Sequence, residues 1–285
     1  MKEILIISGK GGTGKTSLAG SFASIVSPDA ILVDADVDAA NLSLICNPML
    51  LETHEFSSSF EAEIDLDSCL CCDLCRELCR YEAISENFQV DSLKCEGCKV
   101  CYYACPNRSV SLVKKVSGHW FVSETAYGTL VHARLGVAEE NSGKMVTTVR
   151  NAARDIALRE EKELIIIDGQ PGIGCPVISS LSGVCSALVV TEPTVSGIHD
   201  MDRVLEVCRH FNVKASVCIN RYDLHMGNTS KIEKYCMEKG IKIAGKVPFD
   251  RTFMKALAEG KPIVDYNHGG VVSDIIRDIW DKLYC

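Results

Sequence analysis

The chain has 285 residues, is 47% hydrophobic and carries a formal net charge of −8, with no lysine- or arginine-rich block. That length supports a full core and leaves room for a second small module, while the acidic balance argues against nucleic acid as the main partner. The apolar run after Lys2 is too short for a secretory leader and no stretch approaches transmembrane length, so a cytoplasmic protein without a membrane partner is expected.

The first predicted element is a strand over Ile4-Leu5-Ile6-Ile7. Gly9-Lys10-Gly11-Gly12-Thr13-Gly14-Lys15-Thr16 follows, and a helix opens near Ser17. Strand, glycine-rich turn and helix start are the context that G-x-x-x-x-G-K-S/T needs, because glycines let backbone N–H groups close around phosphate oxygens at a helix N-terminus. Gly9, Gly11, Gly12, Thr13, Gly14 and Ser17 then belong to the phosphate cradle. Lys15 neutralises the β- and γ-phosphates and the Thr16 hydroxyl ligates Mg²⁺. A second strand, Ala30-Ile31-Leu32-Val33, runs into Asp34-Ala35-Asp36-Val37-Asp38 at the strand end where doubly wound sheets bind ligands.

Lys10 makes the loop more specific. Lys-Gly-Gly-x-Gly-Lys-Thr resembles the deviant Walker A motif of the MinD, ParA and nitrogenase iron protein group. That resemblance implies an ATP-dependent homodimer with nucleotide at the interface, in which Lys10 reaches the partner's nucleotide; a solvated lysine beside the loop is the plain alternative. It also implies that Asp34 holds a Mg²⁺-bound water and that Asp36 orients the water attacking the γ-phosphate. Asp38 is a second candidate for that last role, or an N-cap for a helix at residues 39–42.

The sixteen cysteines are expected as metal ligands or reduced core thiols, since a cytosolic chain rarely uses disulfides. From about Thr53 the pattern changes and Ser57-Ser58-Ser59 interrupts it. Cys69-x-x-Cys72-x-x-Cys75-x-x-x-Cys79 comes next, followed by a second copy, Cys95-x-x-Cys98-x-x-Cys101-x-x-x-Cys105-Pro106. Each copy resembles the run of bacterial ferredoxins in which the fourth cysteine ligates the other cluster. The resemblance implies one 4Fe–4S cluster on Cys69, Cys72, Cys75 and Cys105, and another on Cys95, Cys98, Cys101 and Cys79. Zinc is the competing reading of C-x-x-C pairs. Cys71 breaks the pattern, either as a spare thiol or as a ligand in place of Cys72.

Beyond residues 113–115, strand-like runs at 120–123 and 130–135 have Gly118, Gly128 and Gly136 as turns. After Glu139-Glu140-Asn141-Ser142-Gly143-Lys144, the apolar positions Val146, Val149, Ala153, Ile156 and Ala157 recur at helical spacing. Lys144 either touches phosphate across a dimer or is a solvated helix start. Leu164-Ile165-Ile166-Ile167-Asp168 reads as a fully buried parallel strand. With Gly169-Gln170-Pro171-Gly172 it resembles a Walker B strand entering switch II, which implies a Mg²⁺-bound water on Asp168. Gln170 departs from the usual Asp-x-Pro-Pro-Gly, and either positions the lytic water or fills a turn. Cys175, seven positions after Asp168, resembles the place of a bridging-cluster ligand in the nitrogenase iron protein; a buried structural thiol is the alternative.

Core strands are predicted at residues 187–191 and 215–219, with a helix from about Gly197 to His210 between them. Asn220-Arg221-Tyr222-Asp223 matches the N-K/R-x-D form that reads guanine. The MinD resemblance instead sets Asn220, Arg221 and Asp223, with the Pro248-Phe249-Asp250 loop, around adenine, so ATP is favoured and GTP stays open. The last helix, 273–283, carries Ile275, Ile276, Ile279, Trp280 and Leu283 on one face. Asp274, Asp278 and Asp281 outnumber Arg277 and Lys282, which suits closing the core rather than lying on an anionic membrane.

As a whole the chain resembles the MinD-superfamily P-loop ATPases with an inserted ferredoxin domain. The expected fold is α/β, a doubly wound, mostly parallel sheet over residues 1–60 and 116–285, interrupted at 61–115 by a small α+β ferredoxin-like module. The expected function is Mg²⁺-dependent ATP hydrolysis by a homodimer, with Lys10, Lys15 and Asp36 acting on the γ-phosphate. Nucleotide state would gate electron transfer through two 4Fe–4S clusters to a redox partner. A carrier that hands a metallocluster to an acceptor protein is the alternative, weakened because only Cys285 lies at the C-terminal end. A ParA-like positioning ATPase is the third.

Overall fold

The structure is a computed structural model that describes residues 1–136 and 141–284; Glu139, Glu140 and Cys285 lie outside the described residues. Among the described residues one sheet is built from β1 (Lys2–Ser8), β2 (Ala30–Asp34), β3 (Met49–Ile64), β4 (Val110–Thr125), β5 (Gly128–Leu135), β6 (Leu164–Pro171), β7 (Ser186–Thr191), β8 (Lys214–Asn220) and β9 (Lys242–Val247). Their spatial order is β3-β4-β5-β2-β6-β1-β7-β8-β9. From β5 to β9 every neighbouring pair is parallel, which requires crossover connections and puts helices on both faces. The helices are α1 (Lys15–Val26), α2 (Ser43–Cys46), α3 (Leu74–Glu77), α4 (Val100–Ala104), α5 (Ser142–Arg159), α6 (Cys175–Leu181), α7 (Val195–His210), α8 (Met226–Glu238), α9 (Thr252–Ala258), α10 (Ile263–Tyr266) and α11 (Val271–Tyr284).

Ile4, Leu5, Ile6 and Ile7 of β1 are all at most 2% exposed. Alternate residues of a strand face opposite sides, so burial of all four means that both faces are covered. Each fully buried side chain of this size contributes about 1.5–3 kcal/mol. On one face Ile4 and Ile6 pack in a cluster with Leu18 and Phe22 of α1 and Ile276, Ile279 and Trp280 of α11. The last helix closes the core, as its apolar face suggested.

An ionic brace ties β1 to α5 and α6. Glu3 is buried, and Arg150 donates to its Oε2 at 2.5 Å while also donating to the carbonyls of Ser179 (2.5 Å) and Ser182 (2.9 Å); Arg154 pairs with the other Glu3 oxygen.

The chain divides into two compact units. The first holds Met1–Thr53, Trp120–Arg134 and the residues from Ser142 onward; the second is mainly His54–His119. The boundaries fall inside β3 and β4, two 16-residue strands. Two sequence expectations are corrected here. Ser57-Ser58-Ser59 lies within β3 rather than interrupting the pattern, and Gly118 lies within β4 rather than at a turn. The Ser58 and Ser59 hydroxyls meet the buried Ser117 hydroxyl at 3.3 and 3.2 Å, so polar side chains are satisfied there without a loop. In the second unit α3 and α4 each follow a C-x-x-C-x, and the residues before them, Asp73 (φ 62°) and Lys99 (φ 69°), share the left-handed conformation. The cysteine repeat is thus also a repeat of backbone shape.

Candidate functional site

The phosphate loop leaves β1 after Ser8 and enters α1 at Lys15. Gly14, the residue before α1, has φ 95°, and a Cβ there would lie 2.5 Å from the Asn220 amide nitrogen. Only glycine suits both conditions. Asn220, at the end of β8, donates from Nδ2 to the Thr13 carbonyl at 2.8 Å, so it holds the loop rather than projecting into solvent.

Two cavities adjoin this loop. The larger, ≈ 680 Å³, is lined by Gly11, Gly12, Gly14, Lys15, Thr16 and Ser17 together with Asp36, Asp38, Gln170 and Arg221. The smaller is lined by Gly14, Ser17, Asn220, Arg221, Pro248, Phe249 and Asp250. Gly14, Ser17 and Arg221 border both, so the space runs from the phosphate loop to the base loop, and the larger cavity is of ligand-binding size. Asp223 does not line it. Its Oδ1 accepts the Phe249 backbone N–H at 2.7 Å, which makes it a pin for the base loop.

Asp34, the last residue of β2, lies beside Asp168, three residues before the end of the paired strand β6. Both are buried. Burial first, then the neighbouring Asp168 charge, drives the Asp34 carboxyl well above its ordinary range, against the N–H groups of Leu42 and Asp36. Burial pushes Asp168 up to about 6, partly offset by the Lys15 ammonium and the nearby Thr16 hydroxyl. Neither Asp168 oxygen has a partner in hydrogen-bonding geometry. A buried unpaired carboxylate is a cation or water ligand in waiting, and with Thr16 and Asp34 it forms an all-oxygen donor set that fits Mg²⁺. Asp36, half-buried beside Lys15, is raised by burial and lowered by the lysine.

Asp38 is not the helix cap the sequence allowed. The Leu42 N–H before α2 goes to Asp34 Oδ2 at 2.9 Å, and Asp38 Oδ2 accepts from Gln170 Nε2 at 2.6 Å. Lys10 lines neither cavity. Its Nζ donates to Thr194 Oγ1 at 3.1 Å and lies 3.5 Å from Glu192 Oε2, and Glu192 also binds Arg221 at 2.5 Å. Sequence reasoning missed Glu192 and Thr194. The signal was their place just beyond a core strand end. Lys144 and Cys175 are exposed and stand at the starts of α5 and α6; Cys175 is therefore not the buried thiol weighed above.

In the second unit the eight spaced cysteines sort into two cavities. One is lined by Cys69, Cys72, Cys75 and Cys105, the other by Cys79, Cys95, Cys98 and Cys101. Cys79 and Cys105 each accept a backbone N–H from four residues on, Ala83 at 3.4 Å and Ser109 at 3.3 Å. Cys71 is exposed, donates weakly to the Cys69 carbonyl, and lines neither cavity. Among the described residues no three Cys, His, Asp or Glu side chains close on a single point as one metal ion requires. Cys46, Cys208 and Cys218 are buried in the first unit, where burial pushes their thiols up to about 12.

A parallel α/β sheet with a phosphate loop between its first strand and first helix, and carboxylates at adjacent strand ends, defines a P-loop nucleotide-binding protein. The CobQ/CobB/MinD/ParA nucleotide binding domain matches residues 4–263, and the chain belongs to that family. It is 32% identical to the uncharacterised protein MJ0578 of Methanocaldococcus jannaschii, over 99% of this chain and 96% of that protein. It is 26% identical to the septum site-determining protein MinD of Bacillus subtilis, over 92% of this chain and 81% of the relative. Among solved structures, the cell division ATPase MinD of Pyrococcus furiosus superposes with a TM-score of 0.60 at 18% identity, covering 99% and 97% of the two chains. At that identity the likeness is one of fold.

Proposed function

We propose that the protein is a Mg²⁺-dependent, homodimeric ATPase whose nucleotide state controls electron delivery from two 4Fe–4S clusters, held in the ferredoxin-like second unit, to a redox partner. The observation that carries the iron–sulfur part is the sorting of eight cysteines, four to a cavity, with Cys79 and Cys105 exchanged between the two sequence copies. Two full C-x₂-C-x₂-C-x₃-C runs with the fourth cysteine crossing between them suit two iron–sulfur clusters better than two zinc ions. Cys69, Cys72, Cys75 and Cys105 would hold one cluster and Cys79, Cys95, Cys98 and Cys101 the other; when bound, such clusters supply one-electron transfer.

Hydrolysis follows from the first unit's own residues. The loop N–H groups and Lys15 offset the charge that grows on the γ-phosphate, and Asp36 orients the attacking water. Thr16 would hold Mg²⁺ directly and Asp34 and Asp168 through water, which neutralises phosphate charge. One solved relative, MinD of Pyrococcus horikoshii, is described as complexed with Mg-ADP. Asp223 is engaged by the Phe249 N–H through Oδ1 and does not line the cavity beside the base loop, which supports ATP over GTP. The residue run from Asp38 through α2 leads directly into β3, which carries the chain into the second unit, so movement at the loop can be passed on.

A positioning ATPase is the second reading, favoured by relatives that are septum site-determining proteins and by a solved MinC:MinD complex of Aquifex aeolicus. Anaerobic EPR titration with and without Mg-ATP, with iron analysis and a chelator challenge, separates the readings. Two reversible, chelator-resistant signals that shift with nucleotide support gated electron transfer. Iron released or passed to an apo-acceptor on hydrolysis supports the carrier. An iron-free ATPase that sediments with anionic vesicles or DNA supports positioning.

A further inference from the structure

Gln170 is the next-to-last residue of β6 and only 6% exposed, yet its amide lines the cavity that also holds Lys15, Thr16, Asp36 and Asp38. We infer that Gln170 is a positioning residue for hydrolysis: by clasping Asp38 it decides which carboxylate of the 34–38 segment is left to orient water. The inference rests on the ATPase reading above.

Asp34, Asp36 and Asp38 are chemically alike and alternate along one short segment. Their surroundings separate them. Asp34 is turned into its own loop, accepting from the N–H groups of Asp36 at 3.1 Å and Leu42 at 2.9 Å. Asp38 is taken by the Gln170 amide at 2.6 Å. Asp36 is the carboxylate left beside Lys15. The other end of the clasp is firm, because the Ala35 N–H donates to the Asp168 carbonyl and the Gly172 N–H to the Ser8 carbonyl, both at 2.8 Å. A neutral amide can meet Asp38 without adding charge to a site that already holds several carboxylates. A proline at this position has no side-chain donor, so the more usual Asp-x-Pro-Pro-Gly could not make this bond. Here the segment after β2 and the last residues of β6 are joined by side chains as well as backbone, and are expected to move together when the γ-phosphate is lost.

The test is steady-state ATP hydrolysis by the full chain as wild type, Q170L, Q170E and Q170E/D38N, with melting temperature as a fold control. Q170L should lower kcat about tenfold and leave KM within about twofold, because the amide is engaged by Asp38 and the clasp acts on the orientation of water rather than on ground-state binding. Q170E should fall further by setting two carboxylates together. Q170E/D38N, which rebuilds an amide–carboxylate bond in reverse, should recover most of the loss, a rescue that general loosening of the fold does not predict. Hydrogen exchange at residues 36–41 of the nucleotide-free protein should quicken in Q170L and return in the swap. The clasp is overturned if Q170L stays within twofold of wild-type kcat, or if the swap is no better than Q170E in folded protein. Should the wild type bind but not hydrolyse ATP, the ATPase reading falls, and the exchange measurement alone decides the clasp.

Discussion

Asp168 sits where burial works against its own charge. Its folded carboxyl, pushed up to about 6 by burial, lies above the value of about 3.9 expected in the unfolded chain. Between these values the folded state binds a proton that the unfolded state does not, so stability of the metal-free protein rises as pH falls through 6 towards 4, and this contribution is absent at neutral pH. Asp168→Asn removes the buried charge. Its melting temperature at pH 7.5 without Mg²⁺ should exceed that of wild type and vary less between pH 7.5 and 5, while ATP turnover falls by about a hundredfold or more. Calorimetry with a phosphate-release assay checks both, and a variant that loses stability at pH 7.5 contradicts the account.

At the scale of elements, the parallel strands are held by burial on both faces, and β1 carries one polar exception. Glu3 is 5% exposed and faces Arg150, itself 4% exposed, and Arg154. Such a pair adds less than it would take away, because removing one partner strands the other in low dielectric. Glu3→Gln should therefore cost about 3 kcal/mol or more in urea unfolding, whereas an exposed pair such as Lys234 with Glu238 should be worth under about 1 kcal/mol. Lys10 shows the same logic at a loop. Within its own chain it is satisfied by Thr194 and Glu192, and in the proposed dimer it would have to exchange those contacts to reach a partner's nucleotide.

Across the whole molecule, nucleotide chemistry and the spaced cysteines occupy separate units. Crossing of the fourth cysteines gives a sharp expectation for anaerobically reconstituted protein. If the second unit holds the two proposed clusters, Cys105→Ser should abolish the EPR signal of the one on Cys69, Cys72 and Cys75, and Cys79→Ser that of the one on Cys95, Cys98 and Cys101, each with about half of the iron lost. Loss from a cysteine's own sequence copy instead would reverse the assignment. No helix among the described residues is long and apolar enough to cross a membrane.

What the sequence by itself determined is whatever depends on spacing along the chain. The apolar runs Ile4-Leu5-Ile6-Ile7 and Leu164-Ile165-Ile166-Ile167 announced buried parallel strands, the lysine-bearing glycine loop announced a phosphate site, and the final helix showed its core face. Tertiary structure alone decided the side-chain pairings that distinguish similar residues. Gln170 found Asp38, Lys10 found Glu192, Asp223 found the Phe249 backbone, and Asn220 found Thr13. Each pair joins residues far apart in sequence that crossover connections bring together at one edge of the sheet, on neighbouring strands in three cases and across the intervening β7 for Asn220 and Thr13. Periodicity says that a residue is at a strand end, but only register and sheet order say what stands opposite it.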